Sequence, residues 1–289
     1  MHPRSFEYLR ASTLEEAVGF LKDYGERAKV LAGGQSLIPL MKLRLASPQV
    51  LIDLGRIPGL SSIREDGKAL RIGAMARHRD LELSPLVRER YSLLSDAARS
   101  LGDPQVRNLG TIGGALAHAD PASDWGAAFL AFETQLVMVG PRGSRTASID
   151  GFFRDTFETA LMPDEVLAEI LVPRATPRSG GAYKKFKRKT GDFATVAAAA
   201  QVELDAEGKI AKARIGLAAV GPTPVRALRA ENHLRGRRPD GTTLAEAARL
   251  AAEDARPTSD LRGSTEYKKA MVEVYTRRAL ATAVDRAGR

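Results

Sequence analysis

Two glycine-rich stretches hold the residues best suited to chemistry: "LAGGQSLIP" at 31–39 and "NLGTIGGALAH" at 108–118. A glycine has no Cβ, so paired glycines permit positive φ and let main-chain N–H groups come close to an anion. A helix starting after Gln35 or Ser36 would add its dipole to the first stretch, and Ser36 and Thr111 bring hydroxyl donors. Two such cradles suit a ligand with two adjacent phosphates. Neither stretch fits G-x-G-x-x-G, and the chain has no G-x-x-x-x-G-K-S/T, which removes the ordinary dinucleotide fingerprint and the P-loop. A Gly-Gly pair alone is also an ordinary turn, so the two stretches do not by themselves name the ligand.

Other candidate clusters read more plainly. His118, Asp120 and Asp124 have the spacing H-x-D-x-x-x-D, but they straddle Pro121 and no fourth His or Cys is near. Asp120 to Ser123 reads better as a helix start, with Asp124 in the first turn facing a ligand or the dipole. Ser123 with His118 and Asp120 lacks the strand-to-helix elbow of a hydrolase nucleophile. In "KKFKRK", 184–189, strand alternation puts Lys185, Lys187 and Lys189 on one side, free to face a cofactor while the other side meets solvent. Trp125 reads as core, and Tyr267 and Tyr275 as helix packing.

The elements that must position these residues alternate between strand and helix. Thr13 to Glu16 reads as a capping box opening a helix to about Tyr24, with Leu14, Ala17, Val18 and Leu21 on one face. "AKVL" is a strand entering the first glycine stretch, and "SLIPLMKLRL" a helix with Pro39 in its first turn. "VLIDL" and "ALRIGAM" are strands. Residues 85–100 read as one helix starting at Pro85. "DWGAAFLAFE" is a short helix, and "QLVMVG", "SRTASI" and "EVLAEILVP" are strands. The Pro/Gly/Ser-rich "RATPRSGG" marks a domain boundary. Beyond it come three strand candidates, "AYKKFKRK", "ATVAAAAQVEL" and "KIAKARIGLAAV", the last two joined by a "DAEG" turn. Helices follow, with a capping-box signal at Thr243–Glu246 and a cap at Ser264.

Composition excludes several classes. The 289 residues contain no cysteine, so disulfides, thiolate zinc sites and an iron–sulfur cluster carried on this chain are excluded. Absent cysteine fits a reducing cytoplasm. The N-terminus lacks a signal-peptide core, and no window is apolar enough for a membrane span. Lys plus Arg is 44 against 35 Asp plus Glu, but the basic residues are scattered and aromatics are only 6%, so the surplus reads as a solvated surface or a docking face for an acidic partner, not a nucleic-acid site.

The two glycine stretches, with "IGAMARH", "DPQVRNLGTIGGALAHADPASDW", "YKKFKRKTGDFATVAAA" and "GSTEYKKAMVEVYTRRAL" in order, resemble the FAD-binding medium subunits of molybdenum hydroxylases, nearest to those of aerobic carbon monoxide dehydrogenases. The resemblance covers essentially the whole chain. It implies an α+β fold: a two-subdomain FAD-binding domain of the PCMH type at 1–176 (subdomains about 1–57 and 58–176), then a C-terminal domain at 177–289 of a three-stranded antiparallel sheet with helices. It implies that the FAD pyrophosphate lies between the two turns, held by Ala32, Gly33, Gly34, Gln35, Ser36 and Leu37 and by Thr111, Ile112, Gly113, Gly114 and Ala115. By the same resemblance Asp124 contacts FAD away from the ring and Phe193 lies over the isoalloxazine. Lys187, with Lys184 and Lys185 as rivals, approaches the flavin, and Leu101 lies near the adenine or the ring edge. Gln35 and Ala115 depart from the His and Asn frequent in relatives. A main-chain cradle survives both changes, though Ala115 removes a polar side chain.

The implied partners are a large molybdopterin-binding subunit and a small subunit with two 2Fe–2S clusters, assembled as a dimer of heterotrimers in the cytoplasm or at the inner face of the membrane. The implied role is electron transfer through FAD to an external acceptor, with no general acid or base on this chain. The alternative is a stand-alone FAD-dependent oxidoreductase with the same FAD domain. The substrate choice lies outside this chain.

Overall fold

The computed structural model describes residues 2–289. Its first unit is a parallel three-stranded sheet in which Val50–Asp53 lies between Glu7–Arg10 and Ala28–Leu31. Helix Leu14–Tyr24 starts where Thr13 Oγ1 accepts the Glu16 amide at 3.1 Å. Glu16 reaches back to the Ser12 amide at 2.7 Å, one residue earlier than an ideal capping box. Ala17, Val18 and Leu21 bury against Val50 and Ile52 of the sheet, as the apolar spacing predicts.

The second unit is an antiparallel sheet of five strands in the order Ile63–Glu65, Ala69–Gly73, Val166–Pro173, Gln135–Gly140, Gly143–Ser148. Short helices cover it: His78–Leu83, Pro85–Arg90, Ser92–Ser100, Pro104–Leu109, Ile112–His118 and Asp124–Leu130. The single helix expected over 85–100 is two helices, broken at Tyr91 (φ −131°, ψ 56°). Tyr91 is 1% exposed, and its hydroxyl donates to Glu65 at 2.8 Å. A buried phenol needs that acceptor, and the chain turns at Tyr91.

The third unit follows the "RATPRSGG" connection. Its antiparallel sheet runs Ser179–Phe186, Val196–Leu204, Ile210–Ala218, Val225–Arg226. The last strand is a two-residue addition to the three expected. Period-2 alternation divides the sheet's faces. Ala182, Val196, Ala198, Ala200 and Val202 pack on helices Leu228–Leu234, Gly241–Asp254 and Thr265–Ala287, while Tyr183, Ala197 and Ala199 join the core of the second unit. The helix expected to start at Thr243 starts at Gly241, capped by Asp240, whose Oδ1 accepts the Thr243 amide at 2.7 Å. Ser264 caps the last helix as its position predicts. No helix among the described residues is long and apolar enough to cross a membrane.

Candidate cofactor site

The first glycine turn leaves the sheet at Leu31 and enters helix Leu37–Lys42. Gly34 has φ +72°, the left-handed conformation that a side chain disfavours. The amides of Gly33, Gly34, Gln35, Ser36 and Leu37 have no acceptor among the described residues, and all five residues are half-buried. A row of unaccepted N–H groups at a partly open turn has the donor set an anion requires. Gly33 is the point of closest approach. A Cβ there would strike the Leu109 carbonyl and come within 2.7 Å of Gly110 Cα. The first turn therefore rests on the backbone just ahead of the second.

The second turn is built differently. Thr111 caps helix Ile112–His118 by accepting the Gly114 amide at 3.1 Å. The Ile112 amide donates to Ala76 O at 2.9 Å and the Gly113 amide to Ala74 O at 2.8 Å. Neither glycine here takes a positive φ. Gly113 is a packing glycine, since a Cβ would come within 2.8 Å of Ala74 O. The expected open nest is thus a seated turn: Thr111, Ile112 and Gly113 are buried, and Gly114 and Ala115 keep the accessible surface. A Gly114 Cβ would stand 3.5 Å from Ala32 Cβ, so the two turns face each other.

His78 completes the seat. Its amide donates to Gly110 O at 3.1 Å, and its Nδ1 accepts from Trp125 Nε1 at 3.0 Å, which places the proton of the neutral ring on Nε2. Burial, with a smaller contribution from Arg107, lowers the His78 pKa to about 4. The segment "IGAMARH" thereby acquires its purpose: Ala74, Ala76 and His78 hold the second turn by two carbonyls, an amide and a ring.

Asp124 begins helix Asp124–Leu130 and is 3% exposed. Both its oxygens are engaged by the third unit: Tyr183 Oη donates to Oδ1 at 2.5 Å and Lys185 Nζ to Oδ2 at 2.9 Å. Burial, then the Asp124 charge, raises the Tyr183 pKa well above its ordinary value. Lys185 is almost fully enclosed, with a side chain 3% exposed, so it serves as the buried partner of Asp124. Lys187 lies on the same face. Its Nζ donates to Ser100 O at 3.2 Å, the carbonyl that Lys185 reaches at 3.4 Å. Burial and the neighbouring Lys185 lower the Lys187 pKa. The strand ends at Phe186, so Lys189 is an exposed residue beyond the expected shared face. Leu101 follows Ser100 and is a core residue, 9% exposed.

Phe193 stands out from the turn after this strand, 52% exposed. Gly191, with φ +81°, would place a Cβ 3.6 Å from Asp103 Cβ, so this turn lies beside the start of helix Pro104–Leu109. That helix spans from the Phe193 turn to the Gly33 contact. The unaccepted amide row and the exposed aromatic face fit a ligand with an anionic middle and a planar end.

Two facing glycine turns in an α+β domain, beside an added antiparallel sheet, make a subunit with the main-chain donors of a phosphate-ligand cradle. Residues 4–175 match the FAD binding domain in molybdopterin dehydrogenase, and residues 181–283 match the CO dehydrogenase flavoprotein C-terminal domain. The carbon monoxide dehydrogenase medium chain of Hydrogenophaga pseudoflava is 45% identical over 283 residues, 98% of each chain. The 6-hydroxypseudooxynicotine dehydrogenase complex subunit alpha of Paenarthrobacter nicotinovorans is 37% identical over 99% of this chain and 97% of its own. Among solved structures, carbon monoxide dehydrogenase from Hydrogenophaga pseudoflava superposes with a TM-score of 0.96 at 46% identity, covering 99% of both chains. Quinoline 2-oxidoreductase from Pseudomonas putida 86 does so at 0.93 and 32% identity, covering 100% of both. The chain belongs to the family of FAD-binding medium subunits of molybdenum hydroxylases. It is an oxidoreductase subunit, and its cofactor is FAD.

Proposed function

We propose that this chain is the electron-transfer flavoprotein subunit of a three-part molybdenum hydroxylase, receiving electrons from 2Fe–2S clusters on a small subunit and delivering them to an external acceptor. A large subunit holding molybdopterin completes the assembly. FAD, when bound, supplies the redox chemistry that links one-electron clusters to that acceptor. The observation that carries this reading is the unaccepted amide row of Gly33 to Leu37, in a turn that meets the second one through Ala32 beside Gly114 and through Gly33 on Leu109 and Gly110. In this reading residues 1–176 form the FAD-binding domain and 177–289 the C-terminal domain.

The chain's own residues bind and orient. The Gly33–Leu37 amides hold the pyrophosphate, with Ala32 against the opposing turn. Thr111 to Ala115 form the wall behind it, contributing Gly114 and Ala115 as surface. Leu101 and the Ser100 carbonyl shape the floor, and Lys187 brings a cation beside the ring. Asp124 acts through Lys185 and Tyr183, fixing the end of the strand that leads into Lys187. Phe193 covers the ring face.

The test is absorption spectroscopy after gel filtration of the full chain mixed with FAD, run alone and with co-purified large and small partners. Flavin bands should stay with the wild-type protein. Gly33→Val drives its side chain into the Leu109 carbonyl and should weaken FAD binding by at least about 100-fold. Equal retention by both proteins would sink the cradle reading. Absence of large and small partners from the purified native protein would favour a stand-alone oxidoreductase.

A further inference from the structure

The segment after helix Gly241–Asp254 folds back onto the Phe193 turn before entering helix Thr265–Ala287. Arg262 makes the contact. Its Nη2 donates to Asp192 Oδ1 at 3.0 Å and its Nη1 to the Phe193 carbonyl at 3.1 Å. Asp192 Oδ1 also accepts the Phe193 amide at 2.9 Å, so one carboxylate and one guanidinium enclose the Phe193 main chain from both sides. In the reverse direction, Arg188 Nη1 donates to the Leu261 carbonyl at 3.5 Å.

Arg262 is itself held. Its amide donates to Asp260 Oδ1 at 2.8 Å, and Asp260 Oδ2 pairs with Lys268 Nζ at 2.8 Å. The Lys268 side chain is only 4% exposed, and its Nζ also donates to Thr258 O at 2.8 Å. A buried ammonium is costly unless paired and hydrogen-bonded. Here the pairing fixes the loop to the first turn of the last helix. Phe193 belongs to no core cluster among the described residues. Its placement comes from its backbone, and the side chain holding that backbone comes from a loop about 70 residues away in sequence.

We propose that Arg262, set in place by Asp260 and Lys268, is a positioning residue for the flavin ring: its two-pronged grip holds the Phe193 turn ready before FAD arrives. The inference rests on the reading that Phe193 covers the isoalloxazine. A planar guanidinium can serve two acceptors at once, which an ammonium at the same place cannot do with the same geometry. Holding the turn in its bound conformation beforehand removes an ordering cost from binding. The benefit should fall only on ligands that reach the turn.

The experiment compares FAD with ADP, which lacks the ring, as ligands of the full chain. Arg262→Ala should weaken FAD about tenfold while leaving ADP within about twofold. Arg262→Lys should recover part of the loss. In the chain without FAD, amide hydrogen exchange across residues 189–194 should rise about tenfold in Arg262→Ala. Equal losses for FAD and ADP would make Arg262 merely structural and overturn the inference. So would unchanged FAD binding with unchanged exchange, while Gly33→Val still abolishes binding. If Gly33→Val binds FAD like wild type, the cradle reading and this inference fall together.

Discussion

The two glycine turns look alike in sequence and do different physical work. In the first, Gly34 takes a positive φ and five successive amides have no acceptor among the described residues. In the second, the Ile112 and Gly113 amides are spent on Ala76 and Ala74, and no glycine needs a positive φ. One turn presents donors. The other is a seated abutment in which Gly113 packs directly on the Ala74 backbone. A glycine pair therefore signals close approach, and the tertiary structure decides whether the approaching group is a ligand or the protein itself.

The sharpest test of that contrast lies behind the second turn. Asp124→Ala would leave Lys185 buried without its counter-charge and Tyr183 without its acceptor. It should cost about 3–5 kcal/mol in urea unfolding, because an uncompensated buried charge is worse than none. Adding Lys185→Met should recover much of the loss. Gln35→Ala and Ser36→Ala, whose side chains carry no buried ion pair, should show no effect of that size.

Protonation of His78 comes next. The folded protein holds the ring neutral down to about pH 4, whereas the unfolded chain takes up its proton near 6.5. The unfolded state binds more protons between those values, so stability is full above about pH 6.5 and falls with pH down to about 4. The loss should be about 3 kcal/mol. Thermal unfolding across that range should show the slope in wild type and lose it in His78→Gln. A flat wild-type profile would remove His78 from the seat.

The smallest pair separates the turns directly. Gly113→Ala, pressed on Ala74, should destabilise by about 1–3 kcal/mol through overpacking. Gly34→Ala, strained at φ +72°, should cost about 1 kcal/mol. Affinity for FAD should fall more in Gly34→Ala, since its turn carries the donors. A larger binding loss in Gly113→Ala at matched stability would reverse the assignment of the two turns.

The helix starts at Thr13 and Ser264 were legible because a cap joins a side chain to an amide three residues on. So were the strands around 28–31, 50–53 and 166–173, whose apolar runs are local. The break at Tyr91 was not, since the acceptor of its buried hydroxyl, Glu65, lies 26 residues earlier. The capping-box pattern at Thr243–Glu246 competes with the true cap at Asp240, whose carboxylate takes the Thr243 amide and starts the helix two residues earlier.

Local spacing by itself determined the two glycine turns, the alternation that puts Lys185 and Lys187 on one face, the absence of cysteine chemistry and the family pattern along the whole chain. Only the tertiary structure decided that Gly33 rests on Leu109 and Gly110, that Asp124 is consumed by Tyr183 and Lys185, and that Arg262 reaches back to Phe193. Turns and strands arise from torsions and hydrogen bonds among near neighbours. Which donors remain free for a ligand depends on every acceptor the folded chain brings within about 3 Å.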